Sequence, residues 1–208
     1  MTGLPAAALV LVIGYLIGAL PFGLLVGRLA GGVDLRQHGS GRTGATNALR
    51  TVGLAGAVAT FVLDLGKGAA AVLVARWLYA PGPAGSPDWV AAAAGVAAIA
   101  GHIRSIFIGF RGGRGVATFA GAMLATSPWT VAVVVPLVAL VVLRTRIVSL
   151  GSLTGSLLAP LITALLVPIG QATWAGVALG VGGAALVTAA HADNIARLRA
   201  GTERRIGR

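Results

Sequence analysis

Two stretches of this chain gather arginine, glycine and hydroxyl side chains where almost nothing else is polar. HGSGRTGATNALR spans residues 38–50 and GFRGGRGVATFAG spans residues 109–121. A guanidinium binds phosphate oxygens two at a time. Glycine lets the backbone turn tightly and come close to a ligand. The N–H groups at a helix start make a cradle for an anion. In the first stretch the candidates are Ser40, Thr46, Asn47 and Arg50, and a helix beginning near Thr46 puts Asn47 and Arg50 on one face. In the second they are Arg111, Gly112, Gly113, Arg114 and Gly115, with Thr118 in the first turn of the apolar helix that follows. The GxxxxGK[ST] spacing of a nucleotide-binding loop is absent. GRTGAT and GRGVAT echo each other, which suggests two anion cradles side by side and two phosphorylated ligands.

A third polar segment closes the chain, HADNIARLRAGTERR at residues 191–205. His191, Asn194 and Arg197 recur at i, i+3 and i+6 along one side of a helix. Glu203 stands four residues after Arg199, the spacing of a structural ion pair. Ser149 and Ser152 open another apolar run as caps or ligand-facing hydroxyls. Asp64 and Lys67 lie inside an apolar run and are expected to pair with each other. His102 is expected to hydrogen-bond at a helix end. There is no cysteine, the three histidines lie far apart, and no HExxH or paired-carboxylate motif appears, so no metal or other cofactor is expected.

The elements that must hold these segments are membrane helices. Of 208 residues 57% are hydrophobic and only 10% charged, against about 25% charged in a soluble domain, and mean hydropathy is +0.92. The net charge of +11 would suggest nucleic acid in a soluble protein, but here the basic residues sit at the ends of apolar runs, where they report orientation and attract anionic lipids or substrates. No nucleic-acid partner is expected. Apolar segments run near 4–27, 52–78, 89–108, 116–127, 129–143, 148–167 and 171–190. The fourth and fifth are short enough to form one helix over 115–143, which would make six spans. Seven place the arginines of 31–51, 109–115, 144–147 and the tail on one side and leave 79–88 and the turns at Pro128 and Pro168 without lysine or arginine. Pro128 also favours a break. The expected fold is therefore an all-α membrane protein of seven transmembrane helices in a single domain over 1–208. Its N-terminus, without a cleavable signal peptide, lies outside, and its C-terminus is cytoplasmic.

Taken together the three segments resemble the bacterial acyl-phosphate:glycerol-3-phosphate acyltransferase family. Its first motif, GSGN-x-GATN-x-x-R, is matched by Gly39-Ser40-Gly41, Gly44-Ala45-Thr46-Asn47 and Arg50. Its second, GH-x-x-P-x-F then FKGGKGVAT, is matched by Gly101-His102, Phe107 and Phe110 to Thr118. Its third, H-x-x-NI-x-RL-x-x-G-x-E, is matched by His191, Asn194-Ile195, Arg197-Leu198, Gly201 and Glu203. Arg42 replaces an asparagine of the pattern, Ser105 a proline, and Arg111 and Arg114 lysines, which alters reach and hydrogen-bond geometry.

The resemblance implies a seven-helix inner-membrane enzyme, with its site on the cytoplasmic side, that moves an acyl group from acyl phosphate to the 1-hydroxyl of glycerol 3-phosphate. The products are lysophosphatidic acid and phosphate, and neither acyl-CoA, acyl carrier protein nor metal takes part. The HxxxxD box is indeed absent, since Thr43, Phe107 and Ala196 stand five residues after the histidines. On this reading Ser40, Thr46, Asn47, Arg50, Arg111, Arg114, Gly115, Thr118 and Ser149 bind substrate, and Gly112 and Gly113 supply backbone donors. His191 and Asn194 orient the acceptor as the catalytic pair. The base is either His191 or a substrate phosphate. Chain-length preference and oligomeric state are not legible. A transporter for an organic phosphate is the alternative, disfavoured because the polar groups collect on one side; a headgroup phosphotransferase would need an aspartate cluster that is missing.

Overall fold

Small residues decide how the apolar helices meet. In lipid there is little hydrophobic drive between helices, so close backbone approach and dispersion must hold them. The computed structural model describes residues 2–80 and 86–207; the middle of the expected 79–88 loop, and Arg208 of the basic tail, lie outside them. Among the described residues nine α-helices follow in order: α1 Gly3–Ala19, α2 Phe22–Gly31, α3 Ala45–Leu78, α4 Pro87–Ile103, α5 Val116–Thr126, α6 Pro128–Thr145, α7 Val148–Leu166, α8 Trp174–Ala190 and α9 Ala192–Arg199. Helix α4 sits at the centre, packed on α1, α3, α5 and α8. Its buried face meets Val72, Phe119, Met123 and Leu179 in the main core. Helix α6 is the opposite case. It packs on α5 and α7, and Val133, Val135, Leu140 and Leu143 point outward, as lipid solvation allows.

The apolar run 4–27 is not one helix. The chain breaks at Leu20-Pro21, where proline cannot donate an N–H. The carbonyls freed there are taken up from elsewhere in the fold: Lys67 Nζ of α3 donates to Leu20 O at 2.8 Å, and Ser105 Oγ, just after α4, donates to Ala19 O. The hydroxyl of Ser105 thus has a structural partner that a proline in its place would lack. Helix α3 begins at Ala45, earlier than the apolar run, and Gly53 (φ 81°) breaks its regular geometry after two turns. The expected break before Pro128 is present. Among the described residues five helical segments are long and apolar enough to cross a bilayer, counting α1 and α2 as one. A sixth is α8 with α9, bent by 65° between them. Helix α5, with eleven residues, rises about 16 Å, about half the hydrocarbon thickness.

Helices α3 and α5 show the packing rule most sharply. A Cβ on Gly68 would run into the Thr118 carbonyl, and one on Gly121 into the Leu65 carbonyl. Backbone cannot step aside as a side-chain tip can. Gly68→Ala should therefore lower stability by about 2 kcal/mol, overpacking outweighing the gain in helix propensity. Thermal unfolding in detergent reads this, and an unchanged or raised midpoint would refute it.

Candidate functional site

The first polar segment is built around one amide. Asp34 and Arg36 form a paired turn, with Arg36 Nε 3.0 Å from Oδ1 and an Nη 2.6 Å from Oδ2. That guanidinium holds the Asp34 carboxyl down at about 2. Asn47 lies in the first turn of α3 and is 2% exposed. Its Nδ2 donates to Leu35 O, His38 O and Arg42 O at 2.8–3.0 Å, and its Oδ1 accepts from Ser40 N at 3.0 Å. The amide is thus filled by the loop that it shapes, and the Ser40 and Arg42 side chains are left facing the cavity described below.

In the second segment the expected donors face the wrong way. Gly112 N donates to Ile103 O at 3.1 Å and Gly113 N to His102 O at 3.2 Å. These two amides close the turn back onto α4 and do not point at a ligand. Glycine is needed there for space: a Cβ on Gly112 would strike the His102 carbonyl, and one on Gly113 the His102 ring. Arg111 is exposed and off the cavity, and Thr118 is buried against α3. The part that reaches the cavity is Arg114, Gly115, Val116 and Ala117. The first backbone bond of α5 runs from Phe119 N to Gly115 O at 2.8 Å, so the amides before Phe119 lack partners within the helix.

The third segment folds back on itself. Helix α9 ends at Arg199, and Gly201 (φ 70°) reverses the chain. Glu203 therefore pairs with Arg197 at 2.7 Å, not with Arg199, because the helix that would set the i,i+4 spacing has stopped. Glu203 Oε1 also accepts from Asn194 Nδ2 at 2.6 Å and Ser149 Oγ at 2.9 Å. Burial pushes the Glu203 carboxyl up, but these hydrogen bonds outweigh it and leave its pKa below the ordinary carboxylate value. A carboxylate only accepts, so the Asn194 atom facing it is the NH₂. Asn194 Oδ1 is left buried with no partner among the described residues. His191, just beyond the end of α8, places Nδ1 2.8 Å from Val187 O. A carbonyl only accepts, so Nδ1 carries the proton and Nε2 keeps its lone pair in the neutral ring. Burial pushes His191 below the ordinary histidine value, and the Val187 hydrogen bond only partly opposes this.

These parts meet. A cavity of about 280 Å³ is lined by Ser40, Thr46, Asn47 and Arg50 from the first segment, by Arg114 and Gly115 from the second, and by His191 and Asn194 from the third. Ser149 of α7 completes it. Arg114 is tied across to the third segment by Asp193 at 2.7 Å, which also takes Arg197 at 3.2 Å. Burial pushes the Arg114 guanidinium down from its ordinary value and Asp193 opposes that. Ile206 N donates to Arg146 O at 2.8 Å, closing the tail over the loop between α6 and α7. Beneath lies the buried pair Asp64–Lys67 at 2.8 Å, with His102 Nδ1 3.5 Å from Asp64 Oδ1. Phe61, Val138 and Val148 give one wall an apolar surface. Arg50 and Arg204 also border a broad outer concavity of about 810 Å³. Ser152, expected as a cap or a ligand-facing hydroxyl, lines the cavity; Arg42, Arg204 and the link of His102 to Asp64 were not singled out as site features by the sequence.

Apolar helices, with no strand among the described residues, close at one end around a basic cavity beside a buried histidine and define a polytopic membrane protein. The comparisons narrow that class. The chain belongs to the glycerol-3-phosphate acyltransferase family, whose model matches residues 8–201. It is 44% identical over 203 residues to a glycerol-3-phosphate acyltransferase of Synechococcus sp. (strain CC9902), covering 97% of this chain and 96% of the relative. It is 42% identical to one of Thermus thermophilus, covering 97% and 96%. The crystal structure of PlsY (YgiH), an integral membrane glycerol 3-phosphate acyltransferase, superposes in its glycerol 3-phosphate form with a TM-score of 0.84 at 35% identity, covering 97% of this chain and 96% of that one. The lysophosphatidic acid form gives a TM-score of 0.83 at 34% identity, covering 97% and 95%.

Proposed function

We propose that this protein transfers an acyl chain from acyl phosphate to the 1-hydroxyl of glycerol 3-phosphate, releasing lysophosphatidic acid and phosphate. The observation that carries this is the single cavity in which four arginines, Arg42, Arg50, Arg114 and Arg204, stand beside His191, Asn194 and an apolar wall. Two phosphorylated reactants repel one another, and cations held in place offset that repulsion and the charge that grows on the leaving phosphate. Acyl phosphate is already a mixed anhydride, so no protein nucleophile is required. The acceptor oxygen attacks the acyl carbon, the bond from that carbon to the phosphate oxygen breaks, and the hydroxyl proton passes to a base. Asn194 Oδ1, buried and unpartnered, accepts a hydrogen bond from an acceptor hydroxyl. His191 Nε2 takes the proton. Arg50 and Arg114 bind phosphate, with the Ser40 and Thr46 hydroxyls beside them, and the free amides at the start of α5 serve as the anion cradle. Ser149 and Asn47 act by holding Glu203 and the first loop.

The membrane reading is seven passes in the bacterial inner membrane, N-terminus outside, with α1 and α2 together as the first and the short α5 as the fourth. It is supported by the convergence of all four basic segments at the cavity end of the molecule. The test is purified protein with palmitoyl phosphate and glycerol 3-phosphate. Phosphate and lysophosphatidic acid are expected in equal amounts, with no product from palmitoyl-CoA. No turnover, together with uptake of glycerol 3-phosphate into proteoliposomes, would replace this reading with a transporter.

A further inference from the structure

Two of the cavity's four arginines, Arg42 and Arg204, have no assigned contact in that scheme, and Arg42 is the one built into the first loop. Arg42 stands in a loop whose backbone is fixed from both sides. Asn47 Nδ2 holds the Arg42 carbonyl at 2.9 Å. Thr43 next to it is 4% exposed, its carbonyl packed against Gly23 of α2. The side chain is half-buried and lines the cavity, and among the described residues it has no ion pair or hydrogen bond. The carboxylates nearby are committed elsewhere: Asp64 to Lys67, Glu203 to Arg197, and Asp193 to Arg114 and Arg197. Arg42 is close enough to Arg114 for its charge to help push that guanidinium down. Two arginines from different segments, brought together in a half-buried cavity with one of them unneutralised among the described residues, are prepared for a dianion.

We propose that Arg42 is a further substrate-binding residue: with Arg114 it clamps a phosphoryl dianion from the side of the first loop. This rests on the two-phosphate reading above. Either reactant supplies the same chemistry, a phosphate carrying two negative charges, and the two Michaelis constants separate them. The side chain can be replaced without touching the Asn47 bond, which uses only the Arg42 backbone. Arg42→Asn should raise one KM by about tenfold, the worth of one charge-assisted hydrogen-bonded contact. Arg42→Lys should recover part of it, since charge is kept and the planar fork is lost. A rise for palmitoyl phosphate assigns Arg42 to the donor phosphate, and a rise for glycerol 3-phosphate to the acceptor phosphate.

Inorganic phosphate binding to the purified protein, followed by calorimetry, tests Arg42 without turnover. Its Kd should rise about tenfold in Arg42→Asn. Arg28→Asn, an exposed arginine at the end of α2 and away from the cavity, controls for net charge. The proposal is overturned if neither KM nor the phosphate Kd moves by more than about twofold, or if Arg28→Asn moves them equally. Failure of the wild type to turn over, with phosphate binding still dependent on Arg42, would instead count against the acyltransferase reading alone.

Discussion

Glu203→Ala is expected to abolish more than about 99% of activity and to release the tail, because three donors converge on that carboxylate. Arg197, Asn194 and Ser149 all donate to Glu203, which is 7% exposed. Arg197 is 35% exposed and keeps Asp193 at 3.2 Å, so the cost lies mainly in the lost hydrogen bonds from Asn194 and Ser149, each to a charged acceptor and worth about 1.5–3 kcal/mol. The loss falls on the site because Asn194 would no longer be oriented and Ser149 would lose its link from α7. Glu203→Gln keeps one acceptor oxygen and should lie between the two. The pH dependence follows from the sign of the shift. The folded carboxyl titrates below its ordinary value, so its stabilising effect is complete above about 4.3 and is lost as pH falls through the depressed folded value. Protection factors over residues 191–206, with the intrinsic exchange rate at each pH divided out, should thus fall in acid for the wild type, while Glu203→Gln should have low protection already at neutral pH and lack that acid step. Equal exchange in wild type and Glu203→Ala at neutral pH would show that the carboxylate does not hold the tail.

Much of this architecture was legible in the sequence because it is written in composition and spacing. Apolar runs mark helices wherever the solvent is lipid, and Pro128 marks a break for a local steric reason. The three basic segments were legible because arginine, glycine and hydroxyls cluster there against an apolar background. What escaped was direction and reversal. Gly112 and Gly113 have the composition of an anion cradle, yet their amides turn back onto the carbonyls of α4, and nothing in a residue's type says which way its N–H points. Asn47 looked like a ligand because it is polar; it is a knot, filled by four partners of its own loop. The pairing of Glu203 depended on where α9 stops, and Gly201 was the available signal for that reversal. The break at Leu20-Pro21 carried its own proline signal, but hydropathy hid it. The lysine that satisfies the freed Leu20 carbonyl comes from 47 residues away, beyond any local pattern.

The buried histidine tests the chemistry itself. His191→Gln should lower kcat by about a hundredfold or more, the lower end of what a positioned base contributes. Glutamine preserves a hydrogen-bonding group of similar reach, so packing against Val187 is disturbed little, but its amide does not take up a proton. The wild-type ring is poised for that task by two features. The Val187 carbonyl fixes Nδ1–H and leaves Nε2 as the basic atom. Burial, reinforced by the neighbouring Arg114, holds the ring's pKa below the ordinary histidine value, so the neutral form prevails at pH 7. The sign is that of a depressed value: activity dependent on neutral His191 is fully present above about 6.5 and falls only as pH drops through the lower folded value. In His191→Gln that acid limb should vanish, along with the rate, from the pH profile of kcat at saturating substrate, to which ionisation of free substrate does not contribute. A variant within about tenfold of wild type and keeping the acid limb would remove His191 as base and pass the proton to a substrate phosphate, whose second ionisation falls in the same range, leaving the histidine to orient the acceptor hydroxyl. The two results differ in both rate and profile, so a single pair of pH series decides which group carries the proton.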